Sequence, residues 1–221
     1  MVEISASLLN LNKENANRKI YDLEVSKIDC FHIDVMDGQF VENNNVDLMK
    51  DYALITSHIS NLGIDVHLMV NNIEEFVEEY LSLSPRIITF HIESSKDEDR
   101  TLKLIKKIKE SGTKVGIAIS PDTNIDEIKK YLGMIHMVLV MTVIPGKGGQ
   151  SLIPKTIQKI KNLREYINEK KIDIDIEADG GINGENAKDV IKAGANILVI
   201  GTYLLNSENY FETVKSIKTC Y

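Results

Sequence analysis

The stretch DCFHIDVMDG, residues 29–38, decides the fold, because apolar and ionisable side chains alternate along it from Phe31 to Val35. A period of two belongs to a strand, whose successive side chains point to opposite faces. Phe31, Ile33 and Val35 form an apolar face fit to carry helices, which turns Cys30, His32 and Asp34 the other way. IDVHLM at 64–69 repeats the pattern, with Val66 and Leu68 outward and Asp65, His67 and Met69 inward. Further on, Ile172, Ile174, Ile176 and Ala178 take the outward phase and leave Glu177 and Asp179 inward; the same phase puts Ser7, His91 and Met141 inside.

Outward from these stretches, eight short β-branched runs alternate with longer amphipathic ones. They are EISASL, DCFHIDV, IDVHLMV, RIITFHI, KVGIAIS, HMVLVM, IDIDIEA and ANILVIG. Helical spacing is clearest at Ile153, Ile157, Ile160, Leu163 and Ile167, and at Ile73, Phe76, Val77, Tyr80 and Leu81. Strict β/α alternation implies a parallel sheet, closed or open. An open dinucleotide-binding sheet wants a glycine-rich turn after its first strand, whereas the turn after Ser7 reads LLNLNKEN. The expected fold is therefore α/β, one (β/α)₈ TIM barrel spanning residues 1–221 as a single catalytic domain.

The charge balance narrows the partners. Twenty-six basic against 33 acidic residues give a net charge of −7, with lysines scattered singly, so nucleic acid is not expected. Any bound phosphate must be gripped locally by backbone amides. No apolar run approaches the roughly 18 residues of a membrane span and no basic-then-apolar leader opens the chain, which suggests a cytoplasmic protein with no membrane partner. Cys30 and Cys220 are expected to be reduced thiols.

Barrel strands place lumen residues nearest their carboxyl ends at the active-site floor. His32, Asp34, His67 and Asp179 should converge there. Two imidazoles with two carboxylates suit one divalent ion, Zn, Fe(II), Mn or Co. A single inward histidine is ordinarily a hydrogen-bonded core residue, but four ionisable groups buried together are better explained by a shared cation. Glycine forms a second constellation at the same face: Gly146, Gly148 and Gly149; Gly180 and Gly181; and Gly201 followed by Thr202. Any one pair would be an ordinary tight turn, whereas three clusters at neighbouring strand ends point to a phosphate cradle.

FHIDVMDG (31–38), DVHLM (65–69), VMTVIPGKGGQ (140–150), IEADGGIN (176–183) and VIGT (199–202) occur in this order, and with them the chain resembles the ribulose-phosphate 3-epimerase family end to end. The resemblance implies a barrel of the ribulose-phosphate-binding type and epimerisation of a phosphorylated ketose at carbon 3. The substrate it suggests is D-ribulose 5-phosphate, converted to D-xylulose 5-phosphate, with D-allulose 6-phosphate as the alternative. It casts His32, Asp34, His67 and Asp179 as metal ligands and Asp34 and Asp179 also as the acid/base pair. Ser7, His67, Met36, Met69, Met141 and the phosphate-loop residues Gly146, Gly148, Gly149, Gly180, Gly181, Gly201 and Thr202 become substrate contacts. A homo-oligomer, dimer or larger, is implied as well.

The chain departs from the family at Ala6, Gln39, Glu42, Ser120 and Lys147, where Lys147 replaces an aromatic residue and borders the pocket mouth with Glu42. His91 reads as a satisfied core histidine, with a hydrogen bond near the site as the alternative. His58 and His136 fall at element edges and read as incidental, Asp37 as a turn-stabilising residue or a support to the ligands rather than a third acid, and Glu177 as an orienting or structural group. Two rival readings are a sugar-phosphate decarboxylase or synthase, whose Asp-x-Lys-x-x-Asp pattern is missing at the strand ends, and a phosphosugar-binding protein without turnover.

Overall fold

The computed structural model describes residues 2–95 and 97–221. The chain opens with β1 (Glu3–Ser7), α1 (Ala16–Val25), β2 (Cys30–Met36), α2 (Val46–Ile59), β3 (Ile64–Met69) and α3 (Ile73–Leu81). β4 (Ile87–His91), α4 (Ile92–Ser95), α5 (Glu98–Glu110), β5 (Lys114–Ile119) and β6 (Met137–Met141) follow. The last third holds α6 (Lys155–Lys170), β7 (Asp175–Asp179), α7 (Ala187–Ala193), β8 (Ile197–Ile200), α8 (Thr202–Leu205) and α9 (Tyr210–Lys218). Every strand pairs in parallel with the next, and β8 pairs with β1, closing the barrel. The expected (β/α)₈ architecture is the one observed.

Register positions the chemistry. β2 and β3 align His32 with Asp65 and Asp34 with His67, so each imidazole lies beside a carboxylate. β6 and β7 align Met141 with Asp179. Phe31, Ile33 and Val35 are fully buried in one hydrophobic cluster with Ile20, Leu23, Met49 and Tyr52 from the helices. Full burial of side chains this size stabilises by about 1.5–3 kcal/mol each. The lumen itself is divided: Ile87, Ala118, Met137, Leu139, Met141 and Ile197 make an apolar side, while the buried polar groups gather on β1–β4 and β7.

Two expectations shift in detail. β7 starts at Asp175 rather than Ile172, because Lys171 takes a left-handed conformation (φ 54°) that ends α6 and Ile172 folds back onto Ile167. Between β5 and β6 the crossover consists of 3₁₀ turns at Ile125–Glu127 and Lys129–Tyr131 instead of an α-helix. That segment still buries Ile128, Tyr131 and Leu132 against the barrel, and Gly133 follows at once. Among the described residues no helix is long and apolar enough to cross a membrane.

Candidate active site

Four strand-end side chains meet at the centre of the barrel mouth. His32, Asp34, His67 and Asp179 each offer a ligand atom, and these atoms lie within 4.8 Å of one another. His67 Nδ1 stands 3.0 Å from Asp34 Oδ1 and 3.6 Å from Asp179 Oδ2. His32 Nε2 stands 3.2 Å from Asp34 Oδ1 and 3.9 Å from Asp179 Oδ2, yet it makes no hydrogen bond to any described residue. A buried ring nitrogen left without a partner is costly. An unsatisfied nitrogen facing carboxylate oxygens, in a set of two nitrogens and two oxygen donors, fits a divalent cation.

Three of the four ligand candidates, His32, Asp34 and His67, are held from behind, as metal-binding imidazoles and carboxylates commonly are. His32 Nδ1 bonds Asp65 Oδ2 at 2.7 Å, and Asp65 also accepts Ser5 Oγ at 3.2 Å. Ser7 Oγ donates to Asp34 Oδ2 at 2.8 Å. His67 Nε2 meets His91 Nε2 at 2.9 Å, and His91 Nδ1 meets Glu93 Oε2 at 3.0 Å. Asn45 staples the end of β2: its Nδ2 donates to the Asp34 carbonyl at 2.9 Å and its Oδ1 accepts from the Met36 amide at 2.8 Å.

The two aspartates differ electrostatically. Burial opposes a charge on Asp34, but His32 and His67 outweigh it and hold this carboxyl far below the usual carboxylate range. Burial and the adjacent Asp34 carboxylate push Asp179 up to about 7. Burial likewise opposes a charge on His32, but Asp34 and Asp65 outweigh it and raise its pKa well above the usual imidazole value. Beneath it, burial and then Asp65 raise Glu177 well above its ordinary value. His91 is shifted down by burial.

Above the floor lies a cleft of about 260 Å³. Ser7, Asp34, Met36, Met69, Met141, Asp179 and the glycines 146, 148, 149, 180, 181 and 201 line it, together with Thr202. His32 and His67, fully buried, lie under this surface rather than on it. Parts of the rim leave no room for a side chain: a Cβ at Gly181 (φ 67°) would come within 2.4 Å of the Leu152 amide nitrogen, and one at Gly148 within 2.4 Å of Asn10 Nδ2. Polar side chains tie the rim loops together. Asn43 donates to the Gly146 carbonyl (2.7 Å), Gln150 to the carbonyls of Ile144 (2.7 Å) and Lys147 (2.8 Å), and Asn10 to Thr202 Oγ1 (2.7 Å). Lys147 is exposed at the cleft mouth.

Sequence reasoning missed Asn10, Asn43, Asn45 and Gln150, since amides in loops carry no periodic signal; the turn LLNLNKEN singled out for lacking glycine was the one hint at Asn10. Asp37 caps its own turn, accepting from the amides of Gln39 and Phe40, both at 2.8 Å, and from Asn71 at 2.7 Å. His58 and His136 lie away from the cleft and bond backbone groups. Cys30 and Cys220 are free thiols.

The sequence carries the signature of the ribulose-phosphate 3 epimerase family over residues 3–205. The ribulose-phosphate 3-epimerase of Methanocaldococcus jannaschii is 38% identical over 218 residues, 99% of this chain and 90% of that protein. That of Bacillus subtilis is 35% identical, covering 99% of both, and the chloroplastic ribulose-5-phosphate-3-epimerase of Arabidopsis thaliana is 36% identical over 97% of this chain and 75% of that one. Solved structures share the fold at low identity. KGPDC from Streptococcus mutans superposes with a TM-score of 0.69 at 12% identity, covering 99% of this chain and 96% of that one. The 3-hexulose-6-phosphate synthase of Salmonella typhimurium gives 0.66 at 13%, covering 97% and 96%. With the barrel, the buried His/Asp cluster and these relatives in agreement, the chain belongs to the ribulose-phosphate 3-epimerase family.

Proposed function

We propose that residues 1–221 act as one catalytic domain, a metal-dependent ketose-phosphate 3-epimerase that interconverts D-ribulose 5-phosphate and D-xylulose 5-phosphate in the cytoplasm. The observation that carries this reading is geometric: the buried carboxyls of Asp34 and Asp179 meet on the cleft floor with His32 and His67, all four within reach of one ion. Inverting the carbon beside a ketone requires a proton to leave one face and another to arrive on the opposite face, so two groups must straddle that carbon. Asp34 and Asp179 come from β2 and β7, on different sides of the ring, and one can accept while the other donates. Which starts as base depends on the epimer bound.

His32, Asp34, His67 and Asp179 would hold the divalent cation, Zn, Fe(II), Mn or Co. When bound, such an ion supplies positive charge that stabilises the negative charge developing on the substrate oxygens. Ser7, hydrogen-bonded to Asp34, orients that carboxylate toward the substrate. Met36, Met69 and Met141, all nearly fully buried, give the reacting carbon an apolar wall that keeps water from the enediolate. The glycine rim and Thr202 suit a phosphate group, because backbone amides and a hydroxyl can approach it closely where the net charge of the protein gives no help.

An NMR time course in D₂O with metal-reconstituted protein, offering ribulose 5-phosphate and allulose 6-phosphate in separate tubes, tests this reading. The pentulose should form its epimer with deuterium at carbon 3. Turnover of the hexulose phosphate alone would reassign the substrate, and turnover of neither would leave a phosphosugar-binding protein.

A further inference from the structure

His67 is backed by a chain of groups that take no part in the proton transfers at carbon 3. From the barrel centre it runs from His67 Nε2 to His91 Nε2 (2.9 Å) and from His91 Nδ1 to Glu93 Oε2 (3.0 Å). Glu93 Oε1 then accepts from the Ser120 amide (2.7 Å) and from Thr123 Oγ1. The same short loop is gripped from its other side by Lys159 on α6, whose Nζ donates to the carbonyls of Ser120 (2.8 Å), Pro121 (2.8 Å) and Thr123 (2.6 Å). Phe40 covers the His91 ring at 4.8 Å between centroids. Glu93 is thereby fixed with one oxygen committed to the loop and the other aimed inward.

Hydrogen-bond roles then follow one from another. A carboxylate only accepts, so His91 Nδ1 is the donor to Glu93. A neutral ring with its hydrogen on Nδ1 has a lone pair on Nε2, so the contact to His67 requires the hydrogen to be on His67 Nε2. With an ion bound, His67 Nδ1 would present its lone pair between Asp34 Oδ1 and Asp179 Oδ2; without one the same atom is at hydrogen-bond distance, 3.0 Å, from Asp34 Oδ1. On the other side of the cluster the order is reversed: His32 donates from Nδ1 to Asp65 and turns Nε2 inward.

We infer that His91 and Glu93 are positioning residues that fix His67 as the Nε2–H tautomer, opposite to His32, so that both imidazoles present a lone pair to one point between Asp34 and Asp179. This rests on the metal-dependent reading of the site. Partners of this kind typically change metal affinity by about 10- to 100-fold.

The test is a long-range ¹H–¹⁵N correlation spectrum of ¹⁵N-histidine-labelled protein loaded with Zn²⁺. His67 should show a protonated Nε2 and a metal-shifted Nδ1, His32 a protonated Nδ1 and a metal-shifted Nε2, and His91 a proton on Nδ1. A metal-shifted His67 beside a His91 protonated on Nε2 would overturn the inference alone. No metal-shifted nitrogen at all would remove the metal-dependent reading and the inference with it. Glu93→Gln can turn an N–H toward His91 and so oppose the chain; its Zn²⁺ dissociation constant should rise by about 10- to 100-fold, with Glu93→Asp, still an acceptor only, staying closer to wild type. An unchanged constant in Glu93→Gln would count against the role of Glu93.

Discussion

At the floor of the cleft the chemistry is carried by side chains on strand ends, whereas the rim above β6, β7 and β8 is largely bare backbone. His32, Asp34, His67 and Asp179 are all buried, and each is held by a partner or a neighbour in the cluster. The rim glycines have positive φ at 146, 149, 180 and 181 and leave little space for a methyl group at 148, 180 or 181. The floor is therefore sensitive to the chemical identity of a side chain at constant size, and the rim to size at constant chemistry. A reacting carbon needs proton carriers held in place, while a phosphate needs only a close approach of N–H groups.

Isosteric change at the floor should produce the largest effect. Asp34→Asn and Asp179→Asn should each lower kcat by about 100- to 10,000-fold, the range that general acid–base groups contribute, while circular dichroism stays that of the folded barrel. Similar losses at a rim position of unchanged size would erase the distinction. Gly181→Ala adds a methyl group where the Leu152 amide stands and strains a left-handed backbone. It should raise KM for the phosphorylated sugar by about tenfold or more, since each 1.4 kcal/mol of lost binding is a factor of about ten. A kcat effect with KM unchanged would move Gly181 into the catalytic machinery.

The pH response sharpens the comparison at smaller scale. Asp179 keeps a proton in the folded chain up to about pH 7 that the unfolded chain loses near its ordinary 3.8, so its contribution to stability is full at low pH and declines as pH rises between these values. Glu177 and His32, both raised, act in the same direction above 4.5 and 6.5 respectively. Asp34 and Asp65, both lowered, contribute above 3.8 and are lost as pH falls through their depressed values. Metal-free protein should accordingly melt several degrees lower at pH 8 than at pH 5, and Zn²⁺ should raise Tm more at pH 8, where it replaces protons. Calorimetry at the two pH values, with Asp179→Asn as the control that flattens the slope, checks this.

The floor could be read from the sequence because strand periodicity is two: once Phe31, Ile33 and Val35 face the helices, His32 and Asp34 must face the lumen, and every inward assignment on β2, β3 and β7 follows in the same way. Periodicity does not say where a strand begins. Ile172 and Ile174 keep the right phase yet precede β7, since the left-handed Lys171 delays the strand. Nor does it see loops. Asn43 acts on Gly146, 103 residues away, and Glu93 reaches a loop 27 to 30 residues distant, contacts that only the closed barrel creates.

The most direct test of the paired aspartates follows the hydrogen on carbon 3 in D₂O, with each pentulose 5-phosphate offered to each Asn variant. Asp34→Asn should exchange that hydrogen in one epimer and Asp179→Asn in the other, neither forming product at an appreciable rate. Exchange of the same epimer by both variants, or epimerisation by either at the wild-type rate, would contradict two carboxyls working from opposite faces.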